Sequence, residues 1–120
     1  MRTLGLTHVH LMVSDLARSL RFYTDAFGLE EQFRSGADMV FLSTPGARDT
    51  ITLNAGHGSS EAGPGGGIEH IGFRLAPGQD LGEAISDVEA AGGKLVRRGE
   101  HAPGVPFAYV ADPDGYLIEI

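Results

Sequence analysis

Five histidines and no cysteine set the terms for any metal chemistry in this 120-residue chain. Thiolate sites are excluded, so an ion would have to be held by imidazole and carboxylate. Two of the histidines fall two residues apart in His8-Val9-His10-Leu11-Met12-Val13. In an extended strand that spacing puts His8, His10 and Met12 on one face and Val9, Leu11 and Val13 on the other. The aliphatic face must pack inward, and the imidazole face then lines solvent or a cavity. The same alternation sets His70, Gly72 and Arg74 opposite Ile71, Phe73 and Leu75, and it sets Glu119 opposite Ile118 and Ile120. Two imidazoles and one carboxylate converging on one cavity would leave open positions on a divalent ion, an arrangement that suits non-haem Fe(II) among others. Thr52 occupies the place that repeats Glu119, and a hydroxyl is a poor ligand for Fe, Ni or Zn. Three protein ligands are therefore expected, not four.

The elements that must carry these residues form a repeat. Leu16, Leu20, Tyr23 and Phe27 recur at helical spacing between a cap candidate, Ser14 or Asp15, and a stop at Gly28. Leu81, Ala84, Ile85, Val88 and Ala91 do the same between Asp80 and Gly92-Gly93. Strand-like runs are expected at 6–13, 29–35, 38–43, 49–54, 69–75, 94–99, 106–111 and 116–120, broken by turns such as Thr44-Pro45-Gly46 and Asp112-Pro113-Asp114-Gly115. Each half thus reads strand, helix, three strands, and His8-Val9-His10 lies over His70-Ile71-Gly72 while Ile51-Thr52-Leu53 lies over Ile118-Glu119-Ile120. The reading is one domain over residues 1–120, with a first module over about 4–54, a Gly-rich linker over 55–67 and a second module over about 68–120. The linker glycines are followed by neither Lys-Ser/Thr nor a helix, against a phosphate-cradling loop.

Nine Lys plus Arg against sixteen Asp plus Glu give a net charge of −7, which argues against nucleic acid and anionic membrane surfaces as partners. The apolar runs are strand-sized and Met1 to Val13 is broken by Arg2, Thr3, His8 and His10, so neither a membrane span nor a signal peptide is read, and a cytoplasmic location is expected. Arg97 and Arg98 read as solvated strand-end residues, whereas Arg74, on the imidazole face, is a candidate anchor for an acidic substrate group.

The whole chain resembles the vicinal oxygen chelate superfamily, which includes glyoxalase I, extradiol dioxygenases, fosfomycin-resistance enzymes and bleomycin-binding proteins. The resemblance is carried by Thr7-His8-Val9 leading into Val13-Ser14-Asp15-Leu16, by Arg21-Phe22-Tyr23 with Phe27-Gly28-Leu29, by Glu69-His70-Ile71-Gly72-Phe73, and by Tyr109 with Asp112-Pro113-Asp114-Gly115 and Ile118-Glu119. It implies an α+β fold of two paired βαβββ modules forming a curved, half-barrel sheet around a metal cavity. It also implies His8, His70 and Glu119 as metal ligands, a small-molecule substrate and a homodimer.

Within the superfamily, Gly99, His101, Tyr109, Asp112, Pro113, Gly115 and Glu119 resemble the extradiol dioxygenase signature, with Ala108 where a larger residue is usual. The leading expectation is accordingly an Fe(II) extradiol-type dioxygenase acting on a catechol-like molecule, with Mn, Ni or Zn as alternative metals. Tyr109 and His101 would hold charge developing on a metal-bound oxygen. His10 matches a polar place beside the ligands. His101 also reads as a loop residue before Ala102-Pro103-Gly104. The acid/base His that such dioxygenases carry at the start of the fourth strand is missing, for that stretch reads Arg48-Asp49-Thr50-Ile51. His57, in the linker, could fold back to replace it. The alternatives are a glyoxalase-I-like lyase or isomerase, which usually has Glu or Gln in place of Thr52, a fosfomycin-type thiol transferase, and a non-enzymatic bleomycin-type binding protein.

Overall fold

The structure, a computed structural model, describes Arg2 and residues 8–56, 62–64 and 70–120. The chain divides into two units, Met1–Ala62 and Gly63–Ile120. Most of the expected linker, with His57 in it, lies outside the described residues.

The first unit runs β1 (Val9–Met12), α1 (Leu16–Phe27), β2 (Glu30–Ser35), β3 (Met39–Ser43) and β4 (Ile51–Asn54). The second runs β5 (Ile71–Gly72), α2 (Leu81–Ala90), β6 (Lys94–Ala102), β7 (Val105–Ala111) and β8 (Leu117–Glu119). Among the described residues each unit is a four-stranded mixed sheet with one helix, in the orders β1-β4-β3-β2 and β5-β8-β7-β6. The fold is α+β and the βαβββ pattern occurs twice.

Local chemistry fixes the helix ends. The Asp15 carboxylate accepts from Arg18 N at 2.9 Å, satisfying an amide that the first turn leaves open, and Gly28 takes the left-handed conformation (φ +66°) that ends α1. Asp80 caps α2 in the same way through Glu83 N at 3.0 Å. The buried face of α1 is Ser19, Phe22 and Tyr23; of the expected stripe Tyr23 is fully buried, while Leu16, Leu20 and Phe27 are half-buried. Ser19 is small and fully buried, so the helix can approach its sheet closely at that point. Phe22, Tyr23, Leu29, Val40, Leu42 and Leu53 complete the first core, and Ile85, Val88, Val110 and Ile118 the second.

The register confirms the alternation. Leu11 pairs with Leu53 on the core side, while His10 pairs with Thr52 and Met12 with Asn54 on the opposite face. In the second unit Ile71 pairs with Ile118 on the core side and Gly72 with Glu119 on the opposite face. Two strands differ from expectation. β5 is two residues long where seven were expected, and β6 continues through His101 to Ala102 because register shifts between Leu95 and Arg97 and between Glu100 and Ala102 let pairing resume beyond each irregularity. No helix among the described residues is long and apolar enough to cross a membrane.

Candidate functional site

The β7–β8 hairpin is built around Asp112. Its Oδ1 accepts from the amides of Asp114 and Tyr116, both at 2.9 Å, and Gly115 turns the chain at φ +92°. This closure sets Tyr109 directly opposite Glu119, with Gly72 on the other side of Glu119 in the parallel pair. Because position 72 has no side chain, the space beside the carboxylate is open. His70, two residues earlier, reaches it with Nε2 at 3.1 Å from Glu119 Oε2. The Tyr109 hydroxyl donates to the same oxygen at 3.3 Å, and its ring meets the His70 ring edge-on at 5.0 Å.

His101 lies two residues beyond Gly99, which pairs with Phe107, and shares its face. Its Nε2 lies 2.6 Å from Glu119 Oε1 and its ring stacks on Phe107 at 4.2 Å. Gly99 makes room for that stack, since a Cβ there would meet the Phe107 ring at 3.1 Å. His101 is thus a strand residue bonded to the carboxylate, not a free loop residue. The first irregularity of β6 turns Arg97 onto the same face, its guanidinium 4.9 Å from the centre of the Tyr109 ring and 5.5 Å from that of Phe107. Arg97 is exposed, as expected, but lies over these rings within β6 and not at a strand end, which strict alternation could not have shown, because a bulge resets parity. The bond from His101 holds the Glu119 carboxyl below the usual carboxylate range, with Tyr109 and His70 adding to it against the opposing effect of desolvation.

The donor set fits a divalent ion in part. Two ligands at a right angle on an ion with bonds of about 2.1 Å stand about 3.0 Å apart, and the His70 Nε2 to Glu119 Oε2 separation of 3.1 Å matches that. The 2.6 Å contact of His101 is a direct hydrogen bond and marks it as the group that orients Glu119. Among the described residues no three His or acidic groups already form a metal cage. His8, the third ligand implied by resemblance, belongs to the first unit and is exposed.

In the first unit Asn54 engages His10. Asn54 Oδ1 accepts from Gly56 N at 2.8 Å, which turns Asn54 Nδ2 toward His10 Nε2 at 3.1 Å. With the amide so assigned, His10 Nε2 is an acceptor and its lone pair is engaged. Thr52 is fully buried, and among the described residues its hydroxyl has no hydrogen-bond partner. Asp49 lies two residues before β4, and its carboxylate is bound to Thr44 N at 2.8 Å and Thr44 Oγ1 at 2.7 Å. It holds the Thr44-Pro45-Gly46 turn.

The sequence profile of the Glyoxalase/Bleomycin resistance protein/Dioxygenase superfamily matches residues 5–120. A probable lactoylglutathione lyase of Vibrio cholerae is 31% identical over 96% of this chain and 88% of its own length. One from Synechocystis is 30% identical over 96% of this chain and 92% of its own length. A lactoylglutathione lyase of Arabidopsis thaliana is 31% identical over 94% of this chain, which spans only 42% of that longer protein. Among solved structures, the genomically encoded fosfomycin resistance protein FosX of Listeria monocytogenes aligns with a TM-score of 0.78 at 22% identity, covering 98% of this chain and 90% of that one. A lactoylglutathione lyase of Agrobacterium tumefaciens aligns with a TM-score of 0.72 at 22% identity, covering 99% and 93%. At that identity the structural likenesses establish the fold alone.

Proposed function

Since the chain belongs to the Glyoxalase/Bleomycin resistance protein/Dioxygenase superfamily, we propose that it is a metal-dependent lyase of the lactoylglutathione lyase type, acting on the hemithioacetal of a 2-oxoaldehyde and a thiol. The observation that carries this is the set of lactoylglutathione lyases aligned over nearly the whole chain, two of them from bacteria at 30% and 31% identity. The reading replaces the extradiol dioxygenase as the leading one. Asp49, tied to Thr44, supports the change, because the stretch leading into β4 carries a turn-holding carboxylate and not the acid/base His that the dioxygenase resemblance called for.

Enzymes of the glyoxalase family use a divalent metal; held by His70 and Glu119, with His8 as the expected third ligand, it would supply Lewis acidity toward two vicinal substrate oxygens. The reaction moves a C–H proton to the neighbouring carbon and a hydroxyl proton between adjacent oxygens, and consumes no oxidant. His101 fixes Glu119 through Oε1, which would leave Oε2 to the ion and the Tyr109 hydroxyl beside it to address a substrate oxygen. His10, engaged by Asn54, has a supporting part, and no role is assigned to His57.

Extradiol-type oxygen chemistry remains the second reading on one observation. Thr52 offers a hydroxyl where glyoxalase I has a fourth ligand, and three protein ligands leave room for a chelated catecholate and O2. The test is to load the chain with Ni(II), Zn(II) or Fe(II) and follow thioester formation from methylglyoxal and glutathione, with oxygen uptake on a panel of catechols as the opposing assay. Thioester formation without oxygen uptake is the expected result, and the reverse pattern would overturn the proposal.

A further inference from the structure

Among the described residues, nothing in the backbone or the packing calls for a glycine at position 72. A glycine inside a strand usually marks a bulge, a tight bend, or the close approach of a ligand or of another backbone. The pairing of β5 with β8 is unbroken, Ile71 with Ile118 and Gly72 with Glu119, so there is no bulge. Its φ is not in the left-handed region, unlike that of Gly115 at +92°, so no bend demands it. A Cβ built at position 72 would meet only Glu119 O, at 3.9 Å, an ordinary van der Waals contact, whereas at Gly99 it would press on the Phe107 ring. Of the four usual reasons, the ligand is left.

The repeat shows that the topology does not require it either. His10 pairs with Thr52 in the first unit as Gly72 pairs with Glu119 in the second, and Phe41 and Tyr109 stand on the far side of Thr52 and Glu119 in the same way. One copy of the βαβββ pattern thus carries an imidazole at this place and the other a hydrogen atom. The glycine also has a cost, because it offers the ladder no side chain, and β5 is two residues long. The space it leaves lies beside the His70 Nε2 and Glu119 Oε2 pair, 3.1 Å apart, and opens into a cleft of about 860 Å³ that Phe73 and Ile120 also line.

We infer that Gly72 is a specificity-determining residue: the substrate lies against the bare backbone at position 72, and the missing Cβ sets the size of the group carried next to its two vicinal oxygens. This rests on the metal-dependent lyase reading for the oxygens and on Gly72 itself for the size limit. The limit is steep. A ligand carbon resting on the Gly72 Cα at about 3.7 Å would stand only about 2.2 Å from a Cβ added along the same line, well inside contact distance. A flat group makes the fullest contact with a bare strand backbone, so the substrate class is a 2-oxoaldehyde adduct whose substituent is planar, such as an aryl ring.

Hydroxamates chelate through two vicinal oxygens and test the site without turnover. Zn(II)-loaded protein, unsubstituted and as Gly72→Ala and Gly72→Val, is titrated by calorimetry with acetohydroxamate and benzohydroxamate. The unsubstituted chain should bind both, the aryl compound more tightly. Gly72→Ala should weaken benzohydroxamate by about tenfold and acetohydroxamate by no more than about threefold, and Gly72→Val should weaken both by about tenfold or more. Metal-free Gly72→Ala should keep or raise the thermal midpoint, since at an ordinary φ alanine restricts only the unfolded chain, and its Zn(II) affinity should be unchanged. A lowered midpoint or a lowered Zn(II) affinity in Gly72→Ala would give the glycine a structural reason and overturn the inference. If the unsubstituted chain binds both hydroxamates and Gly72→Ala changes neither, the inference falls alone; if it binds neither with Zn(II) present, the inference falls together with the metal-dependent reading.

Discussion

His101→Phe is the sharpest perturbation of the candidate metal face, because it keeps an aromatic ring to stack on Phe107 and removes only the nitrogen that lies 2.6 Å from Glu119 Oε1. Partners of this kind, bonded to a ligand but not to the metal, commonly change affinity by 10- to 100-fold when removed. The His101 side chain is 53% exposed, so water can take over part of its bond, which places the expected loss at the lower end, about tenfold in Zn(II) affinity. His70→Ala removes a ligand and should cost on the order of a hundredfold or more, and His101→Gln, whose amide can donate to the same oxygen, should recover part of the loss. Competition against a chromogenic chelator measures the affinities, and the visible bands of the Co(II)-substituted protein report the ligand atoms. With His101→Phe the bands should keep their positions, since the ligand set is intact. Equal losses for His101→Phe and His70→Ala, with shifted Co(II) bands in both, would mean that His101 is itself a ligand. An unchanged affinity would mean that the bond orients nothing.

Two further outcomes follow from single groups. Thr52→Val replaces a fully buried hydroxyl, unpartnered among the described residues, by a methyl of the same shape; it should raise stability by about 1 kcal/mol and the thermal midpoint by about 4 °C, read by calorimetry on metal-free protein, and a loss of similar size would show that the hydroxyl has a partner after all. Glu119 has its carboxyl held below the usual range in the folded state, chiefly by His101, so its contribution to the stability of metal-free protein is present above the ordinary carboxylate value and lost as pH falls through the lowered one. Denaturant titrations across that acid limb should show a shallower loss for Glu119→Gln than for the unsubstituted chain, and parallel limbs would count against the assignment.

What the sequence made legible was periodic or capped. Asp15, Gly28 and Asp80 mark helix ends by chemistry that acts within four residues, so their positions could be read without the fold. Strand alternation likewise placed His10 with Thr52 and Gly72 with Glu119 on the faces opposite the cores. On α1 the buried Tyr23 was legible, but Ser19 was missed, because hydrophobic pattern alone does not select a small hydroxyl for close packing.

β6 shows where such reading stops. Alternation assumes an unbroken ladder, and each bulge inserts a residue that reverses the face of everything after it. The bulge between Leu95 and Arg97 puts Arg97 on the rings of Tyr109 and Phe107 and, with alternation resumed, His101 on the face of Glu119. One signal in the sequence could have located the second register shift, between Glu100 and Ala102. Gly99 is a glycine inside a strand, and such a residue marks either a bulge or the close approach of another group. Here it does the latter for Phe107 and lies next to the former. The polar function of β6 therefore depends on a residue with no side chain. Gly99→Ala, by pushing on the Phe107 ring, would disturb the stack that steadies His101 without touching any group that meets the metal or the substrate.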